Sequence, residues 1–151
     1  MLILGGRYRP RDEDDYNVFS VETILIIPSF KIGKPIIFII DTGASQTTIN
    51  VKDAIVLGID YRKLKSSPTN VVGIGGSVKT YELPKASLIF NVDNNRQYEE
   101  ELDSGLVLKK NERIKNPRKL TSILRQPSLL GMDILKKYRI RFNNFTAILE
   151  I

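Results

Sequence analysis

Two apolar stretches dominate the hydrophobic pattern of the first third of the chain. "VFSVETILII" and "KPIIFII" are rich in β-branched residues, and the turn-forming "PSFKIG" lies between them. Apolar, β-branched runs of this length, bounded by turn residues, are typical of strands. The pattern therefore predicts a pair of strands joined by a short turn.

Three later segments predict further strands. "TNVVGIGGSVKTYEL" predicts two strands around a glycine-rich tip, because glycine adopts the backbone angles that such tips require. "LPKASLIFNV" predicts another strand, and "RIRFNNFTAILEI" predicts a hairpin that turns at Asn143-Asn144. Most of the chain is therefore expected to form β structure.

Two segments instead favour short helices. In "INVKDAIVLGI" the apolar residues recur at helical spacing and Gly58 supplies a stop. "SLLGMDILKKY" is interpreted as the end of a strand, a glycine and a second short helix. The fold class predicted from the pattern is all-β with two short helices.

Length and composition indicate how the chain is organised. A chain of 151 residues is expected to form one domain with a substantial core. Residues 1–17 mix charges with Gly-Gly and Pro, which predicts a mobile or loosely docked N-terminal arm. Residues 18–151 are then the folded domain, and within it the polar stretch 93–127 is interpreted as an insertion whose structure the pattern does not define.

Two residue types are missing, and their absence narrows the chemistry. The sequence contains no cysteine and no histidine. Disulfides, thiol nucleophiles, Ser-His-Asp triads and the usual Cys/His zinc sites are thereby excluded. Hydrolysis by this chain would have to use carboxylates, hydroxyls or lysines.

The positive charge is concentrated in one segment. Residues 109–125 hold seven basic residues and one acidic residue, so the net charge of this segment is +6. The net charge of the whole chain is also +6. We interpret this segment first as a solvated surface, and second as a surface beside a cleft that favours acidic substrates or partners. Nucleic-acid binding ranks third, because no aromatic residue is interleaved with the charges to stack on bases.

No targeting segment or membrane span is predicted. The longest apolar run, Pro35 to Ile40, is far shorter than a bilayer requires, and "MLIL" is too short for the core of a signal peptide. The expected compartment is the cytoplasm, with neither a membrane nor a nucleic-acid partner.

The stretch "FIIDTGASQTTI", Phe38 to Ile49, carries the candidate chemistry. An apolar strand leads into Asp41, small residues follow it, and hydroxyl side chains surround it. "IIDTGAS", the glycine-tipped "VVGIGGSVKTYELP" and "SLLGMDILKKY" follow one another in the chain. In this order they resemble the motifs of the retropepsin-like aspartic peptidases, the single-lobe relatives of pepsin. A lone Asp-Thr-Gly would more often be a capping or turn motif, and the ordered set of three decides against that interpretation.

The resemblance implies a fold and a role for each matching residue. The fold would be a closed, β-barrel-like single lobe with a flap hairpin and two short helices. Asp41 would be the catalytic carboxylate, and Thr42 would bond across to a partner loop. Gly43 and Ala44 would allow close approach, and Gly131 would lie beneath the loop, where a side chain would collide with it. The flap would comprise Gly73, Ile74, Gly75 and Gly76. No metal or cofactor is implied.

Aspartic peptidases need two carboxylates, which raises the question of the second. Asp103 in "DSG" is rejected, because the charged "EEEL" leads into it and "LVLKK" follows it. A turn before a short strand is the better interpretation of this triplet. The partner is then Asp41 of a second chain, which predicts a homodimer with one shared active site. The apolar "FTAILEI" could join an interface of interleaved chain ends, as in retroviral members.

The leading functional hypothesis is an aspartic endopeptidase that hydrolyses polypeptides with a water activated between two Asp41 carboxylates. The alternative is a catalytically weak, retropepsin-like dimeric module for binding or assembly. Two features keep it open: the flap tip lacks an aromatic residue, and the 93–127 insertion could reshape the cleft. A basic protein that associates with nucleic acid is a third and weaker hypothesis.

Overall fold

The computed structural model describes residues 1–8, 18–67, 71–73, 76–108, 115–118, 121, 125–144 and 146–151. These residues form short strands and two α helices. The strands are β1 Leu2–Tyr8, β2 Val18–Ile27, β3 Ile32–Ile40, β4 Thr48–Ile49, β5 Lys65–Ser66, β6 Val71–Gly73, β7 Gly76–Val78, β8 Thr80–Glu82, β9 Ala86–Val92, β10 Arg96–Leu102, β11 Leu106–Leu108, β12 Ser128–Leu130, β13 Arg139–Phe142 and β14 Ala147–Glu150. The helices are α1 Val51–Leu57 and α2 Met132–Leu135.

Nearly all the strands belong to one sheet. Its order is β13-β14-β1-β9-β2-β3-β12-β4-β11-β8-β5, with β10 added beside β9, while β6 and β7 pair separately. The all-β class with two short helices is confirmed for the described residues. The sheet is not the closed barrel that the resemblance implied. Its strand order ends at β13 on one side and at β5 on the other, and these two strands do not pair.

The core lies against the inner face of β2, β3 and β9. Alternate residues of β2 point inward, so Val21, Leu25 and Ile27 are buried and the residues between them are more exposed. Phe38 of β3 and Phe90 of β9 are completely buried in the same cluster. The predicted strand pair is therefore the centre of the domain, because its inward residues fill the core.

The N-terminal segment differs from the prediction. Residues Leu2–Tyr8 form β1, which pairs with β14, β2 and β9, and Ile3 joins the buried core. The prediction of a mobile or loosely docked arm does not hold for these residues, because they pair with three strands and Ile3 is buried in the core. Residues 9–17 lie outside the described part of the chain.

The polar stretch 93–127 contains two strands of the main sheet. Arg96–Leu102, β10, pairs along its full length with β9, and Leu106–Leu108, β11, pairs with β4 and β8. Asp103 and Ser104 form the bend between them, as predicted for "DSG". The segment thus contributes an edge strand and an inner strand to the sheet.

Both helices follow the sequence prediction. Helix α1 ends where Gly58 adopts a left-handed φ of 76°, a conformation that glycine adopts at little cost. Helix α2 begins directly after Gly131. Among the described residues, no helix is long and apolar enough to cross a bilayer.

The C-terminal strand is enclosed within its own chain. Strand β14 pairs with β1 on one edge and with β13 on the other. Both of its edges are therefore hydrogen-bonded. The expectation that "FTAILEI" interleaves with a second chain does not fit this arrangement, because a partner strand could add here only after one of these pairings opened.

Neighbouring residues of β1 test its place in the core. Ile3 is 1% exposed and Leu4 is 59% exposed. We expect Ile3→Ala to lower the free energy of unfolding by about 2–4 kcal/mol, since it removes buried methyl groups and leaves a cavity. Leu4→Ala, the matched control, should change it by less than about 0.5 kcal/mol. Urea denaturation measures both, and equal small effects would contradict a docked β1.

Candidate active site

Asp41 stands at the end of the buried strand β3. Strand β3 runs parallel to β12, with Ile40 opposite Leu130. The Asp41 amide continues this ladder by donating to the Leu130 carbonyl over 3.1 Å. The position of Asp41 is thus fixed by the end of a core strand, as the apolar run before it predicted.

The chain turns sharply just after Asp41. The Gly43 amide donates to Asp41 Oδ1 over 2.9 Å, and the Ala44 amide donates to the Asp41 carbonyl over 3.2 Å. Such an aspartate-centred turn orients the carboxylate through its own backbone. Asp41 is half-buried, whereas Thr42 and Gly43 are exposed. No described residue bonds the other oxygen, Oδ2, which leaves it open to water or a second carboxylate.

The loop is anchored further along by the buried hydroxyl of Thr47. Its Oγ1 accepts from the Gly131 amide over 3.1 Å and donates to Asp133 Oδ1 over 2.8 Å. The backbone adds two more contacts, since the Met132 and Asp133 amides donate to the carbonyls of Ala44 and Ser45. The loop after Asp41 and the start of α2 therefore form one hydrogen-bonded unit.

Asp133 is a positioning residue that the sequence interpretation missed. Its Oδ1 accepts from the Thr47 amide and from the amide of Ile134, each over 2.9 Å, in addition to the Thr47 hydroxyl. A signal was available, because an aspartate two residues after the "LLG" glycine lies where the Asp41 loop must pass.

The rejected "DSG" triplet packs against the same unit. Ser104 Oγ donates to Asp133 Oδ2 over 3.3 Å, and Gln46 Nε2 donates to the Ser104 carbonyl over 2.9 Å. Asp103 itself is exposed in the bend. The triplet therefore supports the loop through Ser104.

Gly131 is in close contact with the loop that it supports. A Cβ atom at this position would lie 2.5 Å from the carbonyl carbon of Gln46 and 2.8 Å from the amide nitrogen of Thr47. Contacts this short do not occur in folded proteins, and backbone atoms cannot move aside as a flexible side chain would. The structure thus brings Asp41, Thr42, Gly43, Ala44 and Gly131 together in one place.

A buried carboxylate secures the far end of α2. Glu100 of β10 accepts from Tyr138 Oη over 2.7 Å and pairs with Lys137. The hydrogen bond to Glu100 holds the pKa of Lys137 above its usual value. Burial, and then the same carboxylate, raise the pKa of Tyr138. Since β10 pairs along its whole length with β9, α2 is tied at this end to the main sheet.

The flap prediction is only partly within the described residues. Strands β6 and β7 pair antiparallel, with Gly73 opposite Gly76. The two strands of the predicted hairpin are therefore paired. Ile74 and Gly75, the other two predicted flap residues, lie outside the described part of the chain. Within the described ranges, no group of three or more acidic side chains is placed to hold a metal ion.

Comparisons with known proteins agree with this geometry. The family model described as "gag-polyprotein putative aspartyl protease" matches residues 31–97, which include β3 and the Asp41 loop. A search of curated proteins found no match. Among solved structures, a retropepsin-like aspartic protease from Rickettsia conorii is 25% identical with a TM-score of 0.53, over 99% of this chain and 89% of that one. The EIAV protease complexed with an inhibitor is 16% identical with a TM-score of 0.47, over 83% and 91% of the two chains.

The family match and the match to the Rickettsia structure overlap along the chain. The family model matches the part of the chain that includes Asp41, and the structural match extends over almost the whole chain. The chain has the retropepsin-like fold, and a stretch of it matches an aspartyl protease family. The resemblance stated from the sequence is confirmed.

Two buried threonines give a matched test of the anchor. Thr47→Val removes the hydroxyl between Gly131 and Asp133, and we expect the free energy of unfolding to fall by about 1–3 kcal/mol because buried partners lose their bonds. Thr23 is equally buried, but its Oγ1 has no hydrogen-bond partner among the described residues. Thr23→Val should therefore be neutral or stabilising in the same denaturation experiment. A similar loss in both variants would contradict a specific role for Thr47.

Proposed function

We propose that the protein is an aspartic endopeptidase that acts as a homodimer. The observation that carries this proposal is the placement of Asp41. Its carboxylate lies at the end of a core strand, one oxygen accepts from the Gly43 amide, and the adjoining Thr42 and Gly43 face solvent. A fixed, accessible carboxylate next to exposed small residues suits a site that a second identical loop can approach.

The chemistry requires two such carboxylates that share one proton. At close range both cannot ionise, so one accepts a proton from water while the other donates to the peptide carbonyl. The water then attacks the carbonyl carbon directly, without a covalent intermediate. The expected pH dependence is a maximum on the acidic side of neutrality, because activity is lost when the pair holds two protons or none.

The second carboxylate is proposed to come from Asp41 of the partner subunit. Asp103 is exposed in the bend after β10 and reaches the Asp41 loop only through the neighbouring Ser104. A two-fold axis beside the loop would place identical aspartates opposite each other. Thr42 is proposed to bond across this axis, and Gly43 and Ala44 to let the two loops approach.

The substrate is proposed to be an extended polypeptide held between the paired loops and the flap. The hairpin of β6 and β7 would cover the bound segment and exclude water during the reaction. Gly131, Thr47 and Asp133 would keep the Asp41 loop rigid beneath it. Rigid placement supports catalysis because the carboxylates then need no reorganisation when the substrate arrives.

Replacing the proposed catalytic carboxylate tests the enzyme directly. We expect Asp41→Asn to reduce cleavage of a denatured protein substrate by at least about a thousandfold, because an amide cannot accept the proton of water. Asp103→Asn, the control, should retain normal activity. A statine-type inhibitor should stop the cleavage by the wild-type protein. Identical behaviour of wild type and Asp41→Asn would favour the alternative, a non-catalytic binding or assembly module.

Oligomeric state provides an independent test of the shared site. Sedimentation over a range of concentrations should show a monomer–dimer equilibrium, and activity should follow the dimer fraction. Mixing wild type with excess Asp41→Asn should suppress activity through mixed dimers, while Asp103→Asn should not. A wild-type protein that stays monomeric and active at every concentration would refute the shared pair of carboxylates.

A further inference from the structure

The outer face of the main sheet has a surface that the proposed catalysis does not use. Strand register aligns Glu99, Ile89, Ile24 and Pro35 in one row across β10, β9, β2 and β3. Directly opposite residues of antiparallel strands share a face, so these four side chains lie on the same side. We call this side of the four strands the outer face.

Two flanking rows extend the same pattern. Glu101, Ser87, Ile26 and Gly33 form the row on one side. On the other side, Gln97 lies opposite Asn91, and Glu22 lies opposite Ile37. The centre of the outer face is therefore apolar and carries isoleucines on adjacent strands.

The apolar centre is accessible. Ile24 is 37% exposed and Ile37 is 43% exposed, while Ile26 and Ile89 are half-buried. Adjacent exposed isoleucines form a contiguous apolar patch, and such patches often mark interaction sites. Beside Ile37 and Pro35, the face descends into a groove whose far wall is made by Lys52, Asp53 and Pro127. This groove could accept one apolar side chain of a bound segment.

The charge on the outer face is opposite to that of the whole chain. Glu22, Glu99 and Glu101 are exposed there, and none of the aligned positions carries a lysine or arginine. Arg96 opens β10 opposite Val92 and so belongs to the other face, and Lys52 lies at the margin in the groove. The protein as a whole has a net charge of +6. An acidic, apolar surface on a basic protein favours a cationic, partly apolar partner.

We propose that the outer face is a docking site for a cationic, partly apolar segment of the polypeptide substrate, remote from the bond that is cut. Its glutamates would attract lysines and arginines, and its isoleucines and groove would take up apolar side chains between them. Nucleic acids and anionic membranes are disfavoured, because their phosphates would meet the glutamates. The assignment to substrate rests on the proposed endopeptidase function, whereas the binding surface itself does not.

Strand β10 adds a second means of binding. It is an edge strand of seven residues, and its pairing with β9 leaves the opposite edge without a partner strand in the described sheet. Such an edge can take up an extended chain through backbone hydrogen bonds. Glu99 and Glu101 beside this edge would repel an acidic strand and attract a basic one, so the edge would favour basic segments.

Binding is tested on the full-length Asp41→Asn protein, so that cleavage cannot intervene. The probe is a fluorescein-labelled peptide of alternating lysine and leucine, followed by fluorescence anisotropy at low salt. We expect Glu99→Lys to raise Kd about threefold to tenfold, through the loss of attraction and the gain of repulsion. Glu82→Lys, the control, makes the same charge change at an exposed position on β8 and should shift Kd less than twofold, roughly the limit set by screening.

A second pair of variants tests the apolar part. Ile24→Thr keeps the β-branched shape and removes apolar surface from the centre, so it should weaken the same peptide, while Ile55→Thr, at an exposed site on α1, should not. Equal effects of Glu99→Lys and Glu82→Lys would show that net charge alone governs binding and would overturn the proposal. Loss of self-association in Glu99→Lys, with peptide binding unchanged, would assign the face to a second copy and overturn it as well.

The assignment to substrate has its own readout in the wild-type background. For one cleavable peptide made with a basic or an acidic extension, we expect a lower KM for the basic form, and Glu99→Lys should remove that difference without changing kcat. If the wild type cleaves nothing while the anisotropy results hold, the endopeptidase proposal and the substrate assignment fall, and the docking surface stands. If cleavage is normal and the extensions make no difference, only the substrate assignment falls.

Discussion

The buried hydroxyl of Thr47 accepts from the Gly131 amide and donates to Asp133, and this pair of bonds holds the loop after Asp41 against the start of α2. Strands β3 and β12 carry Asp41 and Gly131 to the same end of the sheet, but strand pairing alone would leave the following loop unattached. The hydroxyl is satisfied only when loop and helix are both in place. Local order at the candidate active site and the global fold are thereby coupled.

The absent side chain at position 131 and the carboxylate at position 133 complete the same unit. The glycine lets the backbones of β12 and the Asp41 loop touch, and the aspartate satisfies amides of both the loop and α2. Glu100 holds the other end of α2 to β10. The candidate active site is therefore built from contacts between segments far apart in sequence, while the outer face of the same sheet remains open to solvent.

The sequence predicted the parts of the fold whose signal is local. The strand pair, the helix that stops at Gly58 and the "LLG" helix follow from the spacing of apolar residues and from glycine chemistry. The order of the motifs predicted the retropepsin-like fold. Strand β10 was missed because its inward position 100 is a glutamate, whose burial depends on Lys137 and Tyr138 from another part of the chain. Strand β1 was missed because glycines and charges obscure its alternation. Asp133 was undervalued because its partner, Thr47, is 86 residues away.

The enclosure of β14 between β1 and β13 separates folding from association. Where chain ends interleave between subunits, a protomer cannot complete its sheet alone, so its stability depends on its concentration. Here β1 and β13 of the same chain occupy both edges of β14. Under the proposed mechanism a folded protomer alone would have only one of the two catalytic carboxylates, so it would be stable but inactive. Its activity would rise with roughly the square of its concentration when dimers are scarce, so that local accumulation alone could switch proteolysis on.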